Sequence, residues 1–187
     1  LLFTALARPQ WGHTWRESAS RGIDVLFAVD VSRSMLATDI KPSRLVRARL
    51  AIEDFVNRLE GDRVGLVAFA GQAFLQCPLT LDYNAFFQSL DALDTRIVSA
   101  GGTDLGAAIR EAEAAFSDEN NFKVVVLVTD GEDLRGEGLV AARRAGADGL
   151  TIYAVGVGTE EGAPIPVLGP GGGVEYVRDS DGRVVQS

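Results

Sequence analysis

Three oxygen-bearing side chains follow directly after an apolar run near the start of the chain. In VLFAVDVSRSM, the residues Asp30, Ser32 and Ser34 occupy alternate positions after Val29. Carboxylate and hydroxyl oxygens, without sulfur or imidazole, suit a hard cation such as Mg²⁺. Taken alone, the same pattern is also typical of an ordinary polar turn after a strand. Its interpretation therefore depends on what else the fold brings to the same place.

Two further stretches carry side chains of the same kinds. The run KVVVLVTDGED reaches Asp130, and SAGGTDLGAAI places Thr103 and Asp104 after the pair Gly101–Gly102. Taken alone, the first is typical of a turn and the second of a helix cap. In combination with the first stretch they offer the carboxylates of Asp30 and Asp130 and three hydroxyls. Neighbouring carboxylates either raise a pKa or demand a cation.

We therefore predict one divalent-cation site, with Mg²⁺ as the first candidate and Mn²⁺ or Ca²⁺ as alternatives. Its predicted ligands are Asp30, Ser32, Ser34, Thr103 and Asp130. Three other acidic residues fall near these stretches and are not expected to be ligands: Asp39, Glu132 and Asp133.

Short apolar runs rich in β-branched residues alternate with helical patterns along the chain. Strands are predicted at Ile23–Val29, Arg63–Ala70, Lys123–Thr129 and Leu150–Gly158. These runs lack polar alternation, as expected of parallel strands covered by helices on both faces. The predicted fold class is α/β, with a doubly wound, mostly parallel, Rossmann-like central sheet. Ligands of such sheets bind outside the carboxyl ends of the strands, where Asp30 and Asp130 fall.

The segments between these strands predict four helices and one antiparallel strand. The helices are expected from Pro42–Ser43 to Gly61, after Asp82, from Asp104 to Phe116, and up to Gly146. The run Phe74–Leu79 follows its preceding strand too closely for a parallel crossover, so it is predicted to be antiparallel. An exposed loop is expected over Thr159–Gly173, and then a hairpin from Val174 with its turn at Asp181–Gly182.

The composition argues against several functional classes. The chain has 187 residues and a net charge of −8, whereas nucleic-acid binding needs clustered Lys and Arg. The single cysteine, Cys77, excludes an intrachain disulfide and a cysteine-based zinc site, and it is expected in the core. His13 is the only histidine, which makes Ser–His–Asp or Cys–His catalysis a poor explanation.

A phosphoryl-transfer or phosphoacceptor domain is the alternative to a binding module. Phosphatases of the haloacid dehalogenase type also have an aspartate after the first strand, but they need a second aspartate two residues later, where this chain has Ser32. No Walker lysine follows a glycine-rich loop, and no GxGxxG opens a helix. We therefore predict a protein that is not an enzyme.

The first 20 residues predict a membrane-proximal segment. Leu1–Ala7 is apolar but much shorter than the roughly 20 residues that cross a bilayer, and Trp11 and Trp15 are of the type favoured at membrane interfaces. We expect residues 1–20 to be the end of a transmembrane helix, and residues 21–187 to be one domain that lacks its C-terminal part.

The three ligand-bearing stretches resemble the metal-ion-dependent adhesion site (MIDAS) of the von Willebrand factor A (VWA) domain, and the resemblance runs from about Ile23 to about Gly158. It implies that the two serines and the threonine contact the metal directly. It also implies that the two aspartates act directly or through water, and that one coordination position stays open for an acidic residue of a partner protein.

A narrower resemblance is to the bacterial aerotolerance (Bat) proteins, through SRSMLATDIKPSRLVRAR, GDRVGLVAFAGQAFLQCPLTLD and GTEEGAPIP. It implies an inner-membrane protein with transmembrane helices on both sides of the domain, partnered by other Bat proteins or a MoxR-type AAA+ ATPase system in stress or assembly. The family's final helix has no counterpart here. Arg8, Arg16 and Arg21 favour a cytoplasmic face, whereas the resemblance implies the periplasm, which is our expectation.

Overall fold

A five-stranded sheet forms the centre of the molecule. The computed structural model describes residues 22–98, 100–116, 121–131, 133, 136–168 and 173–187. The strands are β1 Ile23–Asp30, β2 Arg63–Phe69, β3 Ala73–Thr80, β4 Phe122–Thr129 and β5 Thr151–Gly156. Their order is β3-β2-β1-β4-β5, with β3 antiparallel to β2 and all other pairs parallel. The predicted fold class is confirmed.

Helices cover both faces of this sheet. They are α1 Arg44–Val56, α2 Tyr83–Asp91, α3 Leu105–Ala115 and α4 Gly138–Ala147, with a short 3-10 helix at Arg33–Leu36. Helices α1 and α2 pack on the face that presents Phe27, while α3 and α4 pack on the face that presents Leu26. Because neighbouring residues of a strand point to opposite faces, the unbroken apolar run of β1 supplies both cores at once.

The sequence sets the starts of three helices through side-chain caps. Ser43 accepts a hydrogen bond from the Val46 amide at 3.3 Å. Asp82 caps α2 by accepting from two backbone amides, and Asp104 caps α3. A cap satisfies amides that the first helical turn leaves without partners, so the predicted starts are confirmed. Helix α1, however, ends at Val56 rather than at the predicted Gly61.

A two-stranded sheet near the end of the chain differs from the expectation. Residues Pro166–Leu168 (β6) pair with Val174–Tyr176 (β7), and Ile165 is only 6% exposed. The expectation of an exposed loop over Thr159–Gly173 was therefore wrong for this part. The prolines and glycines suggested a loop, but proline is compatible with an edge strand, where its missing N–H removes no ladder bond.

The predicted turn at Asp181–Gly182 is present within this C-terminal segment. Gly182 has a φ of +79°, a left-handed conformation that glycine adopts readily. The strands on either side of the turn pair Arg178 with Val184, and Val185 donates its amide to the Val177 carbonyl at 2.8 Å. The hairpin thus begins later than expected, because Val174–Tyr176 pairs with β6 instead.

A buried ion pair joins three segments at the amino ends of the strands. Asp24 of β1 is fully buried and accepts hydrogen bonds from Arg63 of β2 at 2.7 and 2.6 Å, and from Asn121 at 3.0 Å. Burial raises the pKa of Asp24, but the hydrogen bonds from Arg63 and Asn121 outweigh it, and the pKa lies below its ordinary value. The carboxylate is therefore charged and held in place.

The described parts of the chain contain no helix that is both long and apolar enough to cross a bilayer. The segment expected to be membrane-proximal, residues 1–20, lies outside the residues that the structure describes.

We expect Arg63→Ala to lower the free energy of unfolding by roughly 3–5 kcal/mol, because it leaves a buried carboxylate without its cationic partner. Urea denaturation followed by circular dichroism measures the change. The control is Arg144→Ala, which breaks an ion pair with Glu113 whose arginine side chain is 68% exposed and should leave the midpoint almost unchanged. Equal midpoints for the two variants would contradict the role of the Asp24 pair.

Candidate metal centre

Three loops meet at the carboxyl ends of β1, β2 and β4. The loop after β1 follows the end of β2, since Val31 donates its amide to the Phe69 carbonyl at 2.8 Å. The loop that carries Thr103 is attached to the same strand by two hydrogen bonds, from Gly71 N to Ala100 O at 3.1 Å and from Asp104 N to Ala70 O at 2.8 Å. The close approach of the Thr103 loop to the residues after β2 requires glycine at position 71, because a Cβ there would collide with the Gly101 carbonyl.

Asp30 is fully buried at the end of β1, and both of its carboxylate oxygens accept hydrogen bonds. Oδ1 accepts from the Ser32 amide and Oδ2 from the Thr129 hydroxyl, each at 2.8 Å. Burial raises the pKa of Asp30 to about 6. The hydrogen bonds from Ser32 and Thr129 oppose this rise, and the negative charge of Asp130 adds to it. The orientation of Asp30 is thus fixed by neutral donors, whose hydrogen bonds do not offset the effect of burial on its ionised form.

The hydroxyl groups of Ser32 and Ser34 lie side by side, with their Oγ atoms 2.9 Å apart. Both serines are about nine-tenths buried, and Thr103 is 3% exposed. All three side chains line the same groove. The structure therefore brings the three predicted hydroxyl ligands to one side of the sheet edge.

Asp130 follows β4 and has a side chain that is 1% exposed. Its Oδ2 accepts hydrogen bonds from Arg44 Nη1 at 3.0 Å and from the Ser187 hydroxyl at 3.1 Å. Its Oδ1 is buried without a hydrogen-bond partner among the described residues. A buried carboxylate oxygen without a partner is costly, and a cation would satisfy it. The arrangement fits a divalent cation.

The set of donors also constrains the kind of metal centre. Among the residues that the structure describes, no three Asp, Glu, His or Cys side chains cluster as a metal site. A cation at this edge would thus draw on hydroxyl oxygens as well as on the two carboxylates. Hard cations with oxygen ligands, and not soft ones, match such a set.

The acidic residues that were not expected to be ligands have other roles where the structure describes them. Asp133 accepts hydrogen bonds from the amides of Gly136 and Gly138 at 3.1 and 2.9 Å, at the start of α4. Asp39 pairs with Arg44, and this hydrogen-bonded guanidinium holds the pKa of Asp39 well below its usual range. Glu132 lies outside the described residues. Cys77 is 6% exposed within the core, as predicted.

Three residues that contact the two aspartates were not identified from the sequence: Arg44, Thr129 and Ser187. Arg44 precedes Ala48 by four positions, which puts a charge on the buried face of α1. A charge on an apolar face indicates an interior partner, so this signal was available. Thr129, in contrast, was taken only as the end of a strand, and nothing in its spacing indicates that it donates to Asp30.

An open groove of about 1850 Å³ begins at Ser32, Ser34 and Thr103. One wall is the segment between α2 and α3, and the other is the β6–β7 sheet with the residues beside it. The side chains that line the walls include Arg33, Arg96, Val98, Val174, Tyr176 and Arg178. Small-molecule pockets measure about 300–1,000 Å³, so the groove is large enough for a segment of another protein.

Residues 25–132 match the family model described as the von Willebrand factor type A domain, which is more than half of the chain. The chain belongs to this family. The resemblance inferred from the sequence is thereby confirmed, and the five-stranded sheet with its helices is the VWA fold.

Comparisons with solved structures and curated sequences show which individual proteins this chain resembles. BatB from Bacteroides thetaiotaomicron, a conserved hypothetical protein, gives a TM-score of 0.84 at 40% identity over 89% of this chain and 80% of that chain. An aerotolerance-related membrane protein from Bacteroides fragilis gives 0.83 at 38% identity over 89% and 81%. A UPF0353 protein from Mycolicibacterium paratuberculosis is 32% identical over 87% of this VWA chain and 52% of its own length. The chain spans about half the length of the curated relatives it matches.

The raised pKa of Asp30 predicts an unusual pH dependence of stability in the metal-free VWA domain. At pH values between 3.8, the ordinary pKa of an aspartate, and about 6, the folded protein keeps a proton on Asp30 that the unfolded chain releases. The contribution of Asp30 to stability is therefore present at low pH and is lost as the pH rises through about 6.

We expect this contribution to fall by about 2 kcal/mol between about pH 4.5 and pH 7, and Asp30→Asn to abolish that part of the pH dependence. Urea unfolding in EDTA at the two pH values, compared between the wild type and the variant, measures the difference. Parallel pH profiles for the two proteins would contradict the raised pKa.

Proposed function

We propose that this VWA domain is a metal-dependent protein-binding module of a membrane-anchored, Bat-like bacterial protein. The single observation that carries the proposal is the buried Oδ1 of Asp130, which has no hydrogen-bond partner among the residues that the structure describes. It lies in a centre that also holds Asp30 and three hydroxyls beside an open groove. VWA domains generally mediate protein interactions, which favours binding over chemistry.

The proposed ligands are Asp30, Ser32, Ser34, Thr103 and Asp130. Their oxygens suit Mg²⁺, with Mn²⁺ or Ca²⁺ as alternatives. When bound, the cation would supply an open coordination position for a carboxylate of the partner. The chain's own residues orient the centre: Ser32 and Thr129 hold the carboxylate of Asp30, and Arg44 holds that of Asp130.

The groove next to the three hydroxyls is the proposed site of the partner protein. Its walls combine apolar and basic side chains, among them Val98, Tyr176 and Arg33, so flanking contacts can select one acidic segment over another. By resemblance, the partner is another Bat or VWA protein or a MoxR-type ATPase system. The domain is proposed to lie on the periplasmic side of the inner membrane.

The alternative, a phosphoryl-transfer or phosphoacceptor domain, has less support from the geometry. A phosphoacceptor aspartate must present a free oxygen to its donor. Asp30 is fully buried and both of its oxygens accept hydrogen bonds. The other aspartate, Asp130, uses Oδ2 for Arg44 and Ser187. Its Oδ1 accepts no hydrogen bond from the described residues but is buried in a side chain that is 1% exposed, so it is not presented to a phosphoryl donor in solution.

We expect Thr103→Val to weaken Mg²⁺ binding by at least about tenfold, since even residues behind the direct ligands of a metal contribute about that much. The substitution keeps the shape of the side chain and removes one hydroxyl ligand. Isothermal titration calorimetry measures the affinity. Thr151→Val, at an exposed position of β5, is the matched control, and an equal Mg²⁺ affinity in both variants would contradict the proposed ligand set.

Partner binding should require both the cation and the groove. We expect proteins captured from native membranes with Mg²⁺ to be lost with EDTA or in Asp30→Ala, and to be reduced in Tyr176→Ser without a change in Mg²⁺ affinity. Mass spectrometry identifies and quantifies the eluted proteins. The control Tyr153→Ser removes another exposed tyrosine, on β5 and outside the groove. Capture that survives EDTA would rule out a metal bridge.

A further inference from the structure

Arg44 is a charged residue in the interior, 2% exposed, at the first position of α1. An arginine side chain carries five N–H groups in a planar fork. Here every one of them has an acceptor: Nε on Asp39 Oδ1, Nη2 on Asp39 Oδ2 and Ser187 O, and Nη1 on Asp130 Oδ2 and Ser187 Oγ. All five distances lie between 2.8 and 3.0 Å. The guanidinium is therefore held in one plane.

Residues of the loop after β5 contact both Asp39 and the guanidinium of Arg44. Asp39, which binds it through both oxygens, accepts a hydrogen bond from the Thr159 amide at 2.8 Å. Gly158 lies against the guanidinium at a φ of +150°, and a Cβ at this position would come within 3.2 Å of Arg44 Cζ. The loop after β5 thus packs against the guanidinium and restrains Asp39, the residue that binds it through both oxygens.

The consequence for Asp130 is that its two oxygens have different surroundings. Oδ2 is held by Arg44 and Ser187, whereas Oδ1 is buried and has no hydrogen-bond partner in the part of the chain that the structure describes. A guanidinium fork binds carboxylates in a fixed geometry, which a lysine ammonium, a point charge with three donors, does not reproduce. The two-pronged contact of this fork is with Asp39, and it fixes the direction in which Nη1 donates its single hydrogen bond to Asp130. A lysine ammonium could pair with Asp130, but Asp39 could not hold it in that direction through two parallel hydrogen bonds.

We propose that Arg44 is a positioning residue of the metal centre: it fixes the Asp130 carboxylate through Oδ2 and so presents Oδ1 alone to the cation. This inference rests on the proposed metal-dependent function. It gives the buried arginine a role beyond stability, and it assigns Asp39 as the residue that orients Arg44 rather than as a ligand.

The test compares three variants with the wild type, with Mn²⁺ as the probe and electron paramagnetic resonance as the measure of free Mn²⁺. Arg44→Lys keeps the charge and loses the fork, and it should weaken Mn²⁺ binding by about tenfold or more. Asp39→Asn leaves the Asp130 contact in place but loosens the fork, and it should weaken binding by less. The control Arg49→Lys alters an ion pair of the same helix with Asp91, which is 73% exposed, and should bind Mn²⁺ as the wild type does.

The melting temperature in EDTA separates positioning from a purely structural role. A purely structural arginine would lower the metal-free melting temperature of Arg44→Lys and leave the Mn²⁺ dissociation constant of the folded protein unchanged, and this result would overturn the inference. If Arg44→Lys does not fold, an unchanged dissociation constant in Asp39→Asn overturns it equally. Failure of the wild type to bind Mn²⁺ would instead overturn the metal centre and this assignment together.

Discussion

The structure depends on the compensation of two carboxylates that are withdrawn from water at one edge of the sheet. Asp30 and Asp130 end two neighbouring strands, because β1 and β4 are adjacent and parallel. Two like charges at this place are unfavourable in a medium of low polarity. The surrounding residues compensate the two negative charges in part: Ser32 and Thr129 donate hydrogen bonds to Asp30, and Arg44 donates one to Asp130. Oδ1 of Asp130 is buried and receives no hydrogen bond from any described residue, and this is the strongest reason to expect a cation.

The rest of the fold serves to bring these groups together. β1 is hydrophobic on both faces, so it occupies the middle of the sheet, and its last residue comes to lie among the loops of its neighbours. The Thr103 loop reaches the same place because Gly71 permits close contact with it. At the opposite end of the strands, Asp24 and Arg63 join β1 to β2 and fix the register on which the alignment of the loops depends.

The sequence was sufficient to predict the sheet, and the choice of the five candidate ligands, which stays a prediction, rested on local patterns of the same kind. An apolar strand that ends in aspartate is visible in one stretch, and so is a capped helix. Arg44 carried a signal, a charge on the buried face of its helix, but its contact with Asp130, 86 positions later, could not be read from the sequence. The pairing of β6 with β7 was also not predicted, because both strands are only three residues long. Long-range contacts among polar residues leave little periodicity in a sequence.

The small β6–β7 sheet stands apart from the five-stranded sheet, although it forms a wall of the groove. Its exposed residues, such as Val174 and Tyr176, contribute little to either hydrophobic core. Substitutions there can therefore accumulate during evolution without unfolding the domain. Under the proposed function, relatives with the same cation chemistry can in this way diverge in the protein that they recognise, because the proposed selective surface is carried by a segment that contributes little to the core.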